Sequence, residues 1–160
     1  MSLVVENPVL AKEVGELAAG DVCLVRFSGE TLVAFAAALP SGELKMVRFA
    51  GSKEKAPLKM SGWDDANSVE VMCLPDVVIR PNVDSLVPHH QGNNPIGGLV
   101  ITPSGLSAVV YPGDANRYYL DFATGRLDPE RRESLPHFKT WTVSVPNGTE
   151  RGHVLKVVSV

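Results

Sequence analysis

The stretch Leu24-Val25-Arg26-Phe27-Ser28-Gly29, followed by Leu32-Val33-Ala34-Phe35, is rich in strand-forming residues around a Ser-Gly turn, and it returns later in the chain. The second copy is Leu99-Val100-Ile101-Thr102-Pro103-Ser104-Gly105, followed by Ala108-Val109-Val110-Tyr111. A period of about 75 residues is too long for a solenoid repeat and is typical of a duplicated small β module. The alternative is a chance similarity, since the match needs a one-residue insertion at Pro103.

Apolar stretches bounded by glycine and proline turns recur along most of the chain and predict β-strands. The predicted strands are 21–27, 31–39, 43–50, 69–74, 76–80, 98–102, 106–111, 117–123, 139–145 and 153–159. Alternation is regular in several of them: Trp141, Val143 and Val145 alternate with polar residues. Such strands have one buried and one wet face, which is the antiparallel pattern. We therefore predict an all-β, mainly antiparallel fold of two similar barrel-like or half-sandwich units packed together.

Three segments depart from simple alternation. A short helix is predicted near residues 8–18, because Asn7-Pro8 resembles a helix start and Leu10, Val14, Leu17 and Ala18 have helical spacing. The run Thr31–Leu39 is apolar throughout and predicts a strand buried on both faces, with a helix as the alternative. The charged segment Asp128–Glu133 predicts a capped helical turn on the surface.

These patterns divide the chain into four parts. Residues 1–20 are predicted as an N-terminal helical segment, 21–80 as a first β unit, 81–97 as a proline-rich linker or loop, and 98–160 as a second β unit. The 160 residues are enough for one compact domain with a core of its own.

Charge excludes one broad class of function. The chain has 15 basic and 18 acidic residues, a net charge of -3, and neither half has a basic excess. A surface that follows nucleic-acid phosphates needs such an excess, so general nucleic-acid binding is not expected. No apolar run reaches the roughly 18 residues of a membrane-spanning helix, and no membrane role is expected.

Two cysteines, Cys23 and Cys73, both lie in apolar runs. Buried reduced thiols are the favoured interpretation, and a disulfide between neighbouring strands is the alternative. The first residues, Met1–Glu6, have neither a basic start nor a long apolar core, so they do not resemble a secretory signal. A cytoplasmic protein is the resulting expectation.

The 84–97 loop is the most polar candidate binding segment, and exposed aromatic residues would complete its surface. The candidate ligand-binding residues are Trp63, His89, His90, Gln91, Asn93, Asn94 and Tyr119. No metal site is predicted, because adjacent histidines on an extended chain point to opposite sides and no cysteine lies nearby. No catalytic residue and no cofactor are predicted, because neither a nucleophile elbow nor a phosphate loop is present.

Three functions compete on this basis. The first is a non-enzymatic interaction or assembly module, predicted to be a homo-oligomer that pairs through the apolar C-terminal strand ending on Val160. The second is a module that binds a small ligand or carbohydrate through the 84–97 loop and the aromatics. The third is a small hydrolase or metal-dependent enzyme centred on Asp84, His89 and His90. A non-enzymatic function is the favoured hypothesis.

Overall fold

A computed structural model describes residues 10–63, 70–88, 91–113, 116–130, 134–146 and 152–160. The described residues are mainly β-strand, and nearly all strand pairs are antiparallel, as the alternation predicts. The strands are β1 (Leu10–Glu13), β2 (Val22–Phe27), β3 (Glu30–Ala38), β4 (Leu44–Phe49), β5 (Leu58–Ser61), β6 (Glu70–Cys73), β7 (Val78–Pro81), β8 (Leu86–Val87), β9 (Leu99–Thr102), β10 (Gly105–Val110), β11 (Tyr118–Asp121), β12 (Arg126–Pro129), β13 (His137–Phe138), β14 (Thr140–Val145) and β15 (His153–Ser159).

The strands of the two halves pair in the same order. The first half runs β1-β6-β2-β3-β4-β5, and the second runs β8-β13-β9-β10-β11-β12. Similar pairing orders arise in unrelated β proteins, so internal duplication stays a prediction.

The halves are not two separate barrels, which corrects part of the predicted architecture. One 12-stranded sheet contains strands of both, and the described strands form no closed barrel. Two single-residue bridges join the halves: Arg126 of β12 pairs with Ala38 of β3, and Lys59 of β5 pairs with Tyr111. The early and late strands therefore share one hydrogen-bonded framework.

A second sheet of three strands, β15-β14-β7, packs its apolar face onto the large sheet. Its central residue is Trp141, which is completely buried. The Trp141 ring lies 5.9 Å from the ring of Phe49 and 5.7 Å from that of Phe122, measured between centroids. The main core thus contains side chains from both halves and from the small sheet.

The predicted N-terminal helix is wrong over the described part of 8–18. Residues 10–13 form strand β1, which pairs with β6, and a 3-10 turn follows at Val14–Glu16. A strand at the sheet edge satisfies its backbone groups through β6, whereas a helix interrupted by Gly15 gains little from its short apolar face. Residues 8 and 9 lie outside the described residues. Within the described part, no helix has the length and hydropathy that crossing a membrane requires.

The run Thr31–Leu39 is a central strand, as predicted. β3 lies between β2 and β4, and five consecutive residues from Val33 to Ala37 are buried. The predicted turn at 128–133 is wrong where it is described, because Asp128 and Pro129 belong to β12 and pair with β11. The short strands β5, β8 and β13 were also missed, because two to four residues carry too little periodicity to be recognised.

The loop after β4 is held by an ion pair between a buried arginine and a partly exposed glutamate. Arg48 is 1% exposed, and its Nη2 donates to Oε1 of Glu54 at 2.6 Å, while Nη1 donates to Oε2. Its guanidinium also lies over the ring of Phe27, 3.7 Å from the centroid. The hydrogen bond from Arg48 lowers the pKa of Glu54 from 4.5 to about 2, with smaller contributions from the Gly51 N–H and Lys59.

Replacing this carboxylate destabilises the fold in a pH-dependent way. Glu54→Gln leaves a buried guanidinium without its counter-charge and is expected to cost about 3 kcal/mol of unfolding free energy near pH 7. Because the folded pKa of Glu54 is depressed, its contribution is present above about pH 4.5 and is lost as the pH falls toward 2. Urea unfolding of both proteins across this range measures the difference.

Glu43→Gln is the matched control, since Glu43 forms a surface pair with Lys45 and its side chain is 59% exposed. This change is expected to cost less than about 0.5 kcal/mol. An equal effect of Glu54→Gln at pH 7 and near pH 2 would contradict the assignment.

Candidate functional site

The structure disperses most of the predicted ligand-binding residues. His89 and His90 lie outside the described residues. Gln91 and Asn93 are exposed in a bend, while Trp63 is half-buried against the first-half cluster around Leu17 and Cys23. Trp63 therefore belongs to a different cluster from Tyr119, and it is not among the residues that line the pocket beside Tyr119.

Asn94 and Tyr119 do come together. The Nδ2 atom of Asn94 donates to the hydroxyl of Tyr119 at 3.0 Å, and both residues are buried. Arg117 Nη1 donates to the carbonyl oxygen of Asn94. Tyr119 is 7% exposed, so it is a packing and hydrogen-bonding residue and not the exposed stacking platform that was expected.

This buried pair lies at the boundary of two surfaces on the outer face of β9–β12. An apolar cluster of Val100, Val109 and Tyr119 is covered by Ile96 and Leu135. Beyond it, Ser107 faces Asp121 across β10 and β11. Because Phe122 N donates to Leu106 O in the neighbouring pair, Ser107 and Asp121 form a non-hydrogen-bonded pair, where side chains lie closest.

A groove of about 630 Å³ opens over this polar part of the sheet face, and we name it the outer-face groove. Its volume is within the usual range of small-ligand sites. It is lined by Thr102, Pro103, Ser104, Ser107, Tyr119, Asp121, Asp128, Pro129, Glu130 and Leu135. Seven of these ten residues carry a hydroxyl or carboxyl group, so the groove can accept hydrogen bonds from hydroxyl or ammonium groups.

The three carboxylates of the groove differ in environment. The Glu130 side chain is 8% exposed; burial raises its pKa, and Arg117, 3.8 Å away, partly opposes this. Asp121 is buried and its Oδ1 accepts a hydrogen bond from Ala123 N at 2.8 Å, which fixes the turn after β11. Asp128 is exposed at the rim. Three carboxyl groups of different exposure therefore line the groove.

Sequence reasoning named Tyr119 but missed the other groove residues, although a signal was present. In β11, Tyr119 and Asp121 alternate with apolar residues, and the pairing places Asp128 of β12 directly opposite Tyr119. Alternation identifies one face of each strand, but recognising a groove requires knowing that β10, β11 and β12 are neighbours.

The C-terminal strand β15 forms an edge. It pairs with β14 on one side, and no strand of the described residues pairs with its other side. Three valines of this segment are exposed: Val154 by 45%, Val157 by 56% and Val160 by 37%. The strand thus offers both backbone groups and apolar side chains to a partner.

Comparisons with protein-family models, with curated proteins and with solved structures found no match. Within the described residues, no group of three or more histidine, cysteine or acidic side chains is arranged to hold a metal ion.

The buried Asn94–Tyr119 hydrogen bond is expected to stabilise the folded protein. Tyr119→Phe removes the hydroxyl that accepts from Asn94 while keeping the ring, and a loss of about 1–2 kcal/mol of unfolding free energy is expected. Tyr118→Phe on the same strand is the control and is expected to change stability by less than about 0.5 kcal/mol. Urea unfolding measures both, and equal effects of the two changes would contradict this role for Tyr119.

Proposed function

We propose that this protein is a non-enzymatic assembly module that forms a two-fold homodimer by antiparallel pairing of β15 with β15 of a second copy. The observation that carries the proposal is the free outer edge of β15 with its exposed valines. An unpaired strand edge is a template for pairing with another chain. Two-fold dimers are the commonest oligomers because one surface serves both partners.

The direction of the backbone groups on β15 supports this pairing. Val160 N donates to Lys139 O at 3.0 Å, so residue 160 is bonded toward β14. In an antiparallel ladder the bonded positions alternate. The register of β15 with β14 is regular from Ser159 to Lys156, so Val157 and Ser159 direct their N–H and C=O groups toward the free edge.

The side-chain pattern of β15 is self-complementary about Val157. A two-fold axis at this residue places Val157 beside the partner's Val157 and Lys156 opposite the partner's Val158. The two Lys156 residues therefore lie on a diagonal and not directly opposite each other, where like charges are most destabilising. Val157 is also a position with outward backbone groups, so this register makes reciprocal hydrogen bonds at the axis.

The other described sheet edges are less suited to pairing. The large sheet ends at β1, with four residues, and at β8, with two; its branch through β4 ends at β5, with four residues, two of which already bond to Tyr111. The far edge of the small sheet is β7, which ends on Pro81. Short strands and proline are ordinary means of protecting an edge. At seven residues, β15 is the longest free edge in the described part of the chain.

Val157→Pro tests the pairing directly. Proline removes the outward N–H at the proposed axis, and it removes no bond to β14 because residue 157 is not bonded in that direction. Light scattering should give twice the monomer mass for the natural protein and the monomer mass for the variant, with unchanged far-ultraviolet circular dichroism. Val157→Thr keeps the N–H and the β-branched shape, and it should remain dimeric.

A second variant covers the case in which proline disturbs the fold. Val157→Lys keeps the backbone and places two ammonium groups together at the axis, so it should also be monomeric, and more so at low salt. A natural protein that is monomeric across a hundredfold concentration range would refute the proposal. So would a folded Val157→Lys protein that stays dimeric.

The outer-face groove supports a second candidate function, binding of a small ligand with ammonium or hydroxyl groups. Ser107, Asp121 and Asp128 supply acceptors on one sheet face, and the groove volume fits a molecule of that size. The ligand class follows from the acceptors, since carboxylates make their strongest hydrogen bonds to charged donors.

Calorimetric titration with a panel of alkyl diamines and monosaccharides tests this second candidate. Asp128→Asn should weaken binding of a diamine at least about tenfold, because a charge-assisted hydrogen bond is lost. Asp84→Asn is the control, since Asp84 is exposed and lies outside the groove. Absence of binding across the panel, or equal affinities of the two variants, would remove this candidate.

A further inference from the structure

We propose that Cys23 and Cys73 are an oxidisable dithiol that hydrogen peroxide converts into a disulfide bond joining β2 to β6. The two residues are direct partners in the ladder between these strands. Both are buried free cysteines in the same apolar cluster, so their side chains lie on one face of the sheet.

The hydrogen-bond pattern places this pair at a position that a disulfide can span. Leu74 N donates to Val22 O at 2.8 Å, so residues 22 and 74 form a hydrogen-bonded pair. The next pair, Cys23 and Cys73, is therefore a non-hydrogen-bonded one, whose Cα atoms are about 4.5 Å apart. Disulfides join Cα atoms about 4.4–6.8 Å apart, so the bond forms without moving either strand far.

The neighbouring strands keep the two thiols facing each other. β6 lies between β1 and β2, and Cys73 pairs with Leu10 on one side and with Cys23 on the other. The Cys23 thiol also donates to the carbonyl oxygen of Ala34, 3.8 Å away. Separation of the sulfurs would require β6 to leave the sheet.

The order of reaction follows from exposure. Cys73 is 7% exposed and Cys23 is completely buried, so peroxide reaches Cys73 first. The Cys73 thiolate attacks one peroxide oxygen, the O–O bond breaks, and hydroxide leaves as water after taking a proton. Cys23 then attacks the sulfur of the resulting sulfenic acid, and the second oxygen leaves as water with the Cys23 proton. Two thiols lose two electrons, and one peroxide becomes two waters.

Burial also determines how fast the two thiols are expected to be oxidised. It raises the pKa of Cys23 to about 12, and it raises the pKa of Cys73 as well. Because the thiolate is the reactive form, oxidation should be slower than that of an exposed thiol and faster at alkaline pH. Once formed, the disulfide closes a long loop of chain between β2 and β6, which restricts the unfolded state.

The experiment treats the folded natural protein with hydrogen peroxide, then denatures and alkylates it. The expected product is two hydrogens lighter, takes up no alkylating reagent and yields a peptide pair linked through Cys23 and Cys73. Its melting temperature should exceed that of the reduced protein by about 5–10 °C, as expected for a loop of this length. Addition of dithiothreitol should reverse both changes.

Single variants distinguish Cys73, the thiol that peroxide oxidises, from Cys23, the thiol that then forms the disulfide. Cys23→Ala should accumulate a sulfenic acid on Cys73 that dimedone traps, whereas Cys73→Ala should leave Cys23 reduced while the protein is folded. Two alkylatable thiols after peroxide treatment would overturn the proposal. So would an oxygenated Cys73 with Cys23 still free in the natural protein. These outcomes do not depend on whether the protein dimerises through β15.

Discussion

The burial of Trp141 is the constraint on which the arrangement of the two sheets depends. The indole removes a large apolar surface from water, but its N–H needs an acceptor inside the core. Gly97 supplies one: Trp141 Nε1 donates to the Gly97 carbonyl oxygen at 2.8 Å. Gly97 has a φ of +82°, and a Cβ there would lie 2.8 Å from Pro57, so only glycine fits between these segments. One hydrogen bond thereby fixes the small sheet against the segment that leads into β9.

Charged residues on the large sheet have different surroundings in the two halves of the chain. In the first half, the Arg48 guanidinium is neutralised by Glu54 and covered by Phe27, so the charge serves to hold a loop. In the second half, Asp121 and Asp128 line an open groove. A buried cation with a bidentate partner has little capacity left for a ligand, whereas carboxylates beside open space retain theirs.

The proposed assembly surface benefits from being anchored in the core. Val158 of β15 is buried with Trp141 and Val143, while Val157 on the opposite face is exposed. A bulge between Val143 and Ser144 then shifts the register, and Val154 is exposed as well. An edge strand held in this way loses little further freedom when it pairs, which favours association. The cysteine pair lies in the ladder between β2 and β6 and is chemically independent of this edge.

Local patterns in the sequence determined the fold class and most of the strands. Alternation in Trp141–Val145 and the continuous apolar run of β3 report how many faces of a strand are buried, and that information lies in neighbouring residues. The same local reading failed for residues 10–16, where pairing with β6 outweighed a helical spacing of apolar residues. It also placed Tyr119 at the surface, although Asn94 and a cover of apolar side chains bury it.

Only the tertiary structure decided which strands are neighbours, and the candidate sites depend on that. Ser107, Asp121 and Asp128 form a groove because β10, β11 and β12 are adjacent, and Cys23 meets Cys73 because β6 returns beside β2. Period-two alternation fixes the face of a residue within its own strand, but the partner across the ladder is set by long-range pairing and register. Strand pairing and register arise from the burial of the whole core, so no short segment of sequence determines them.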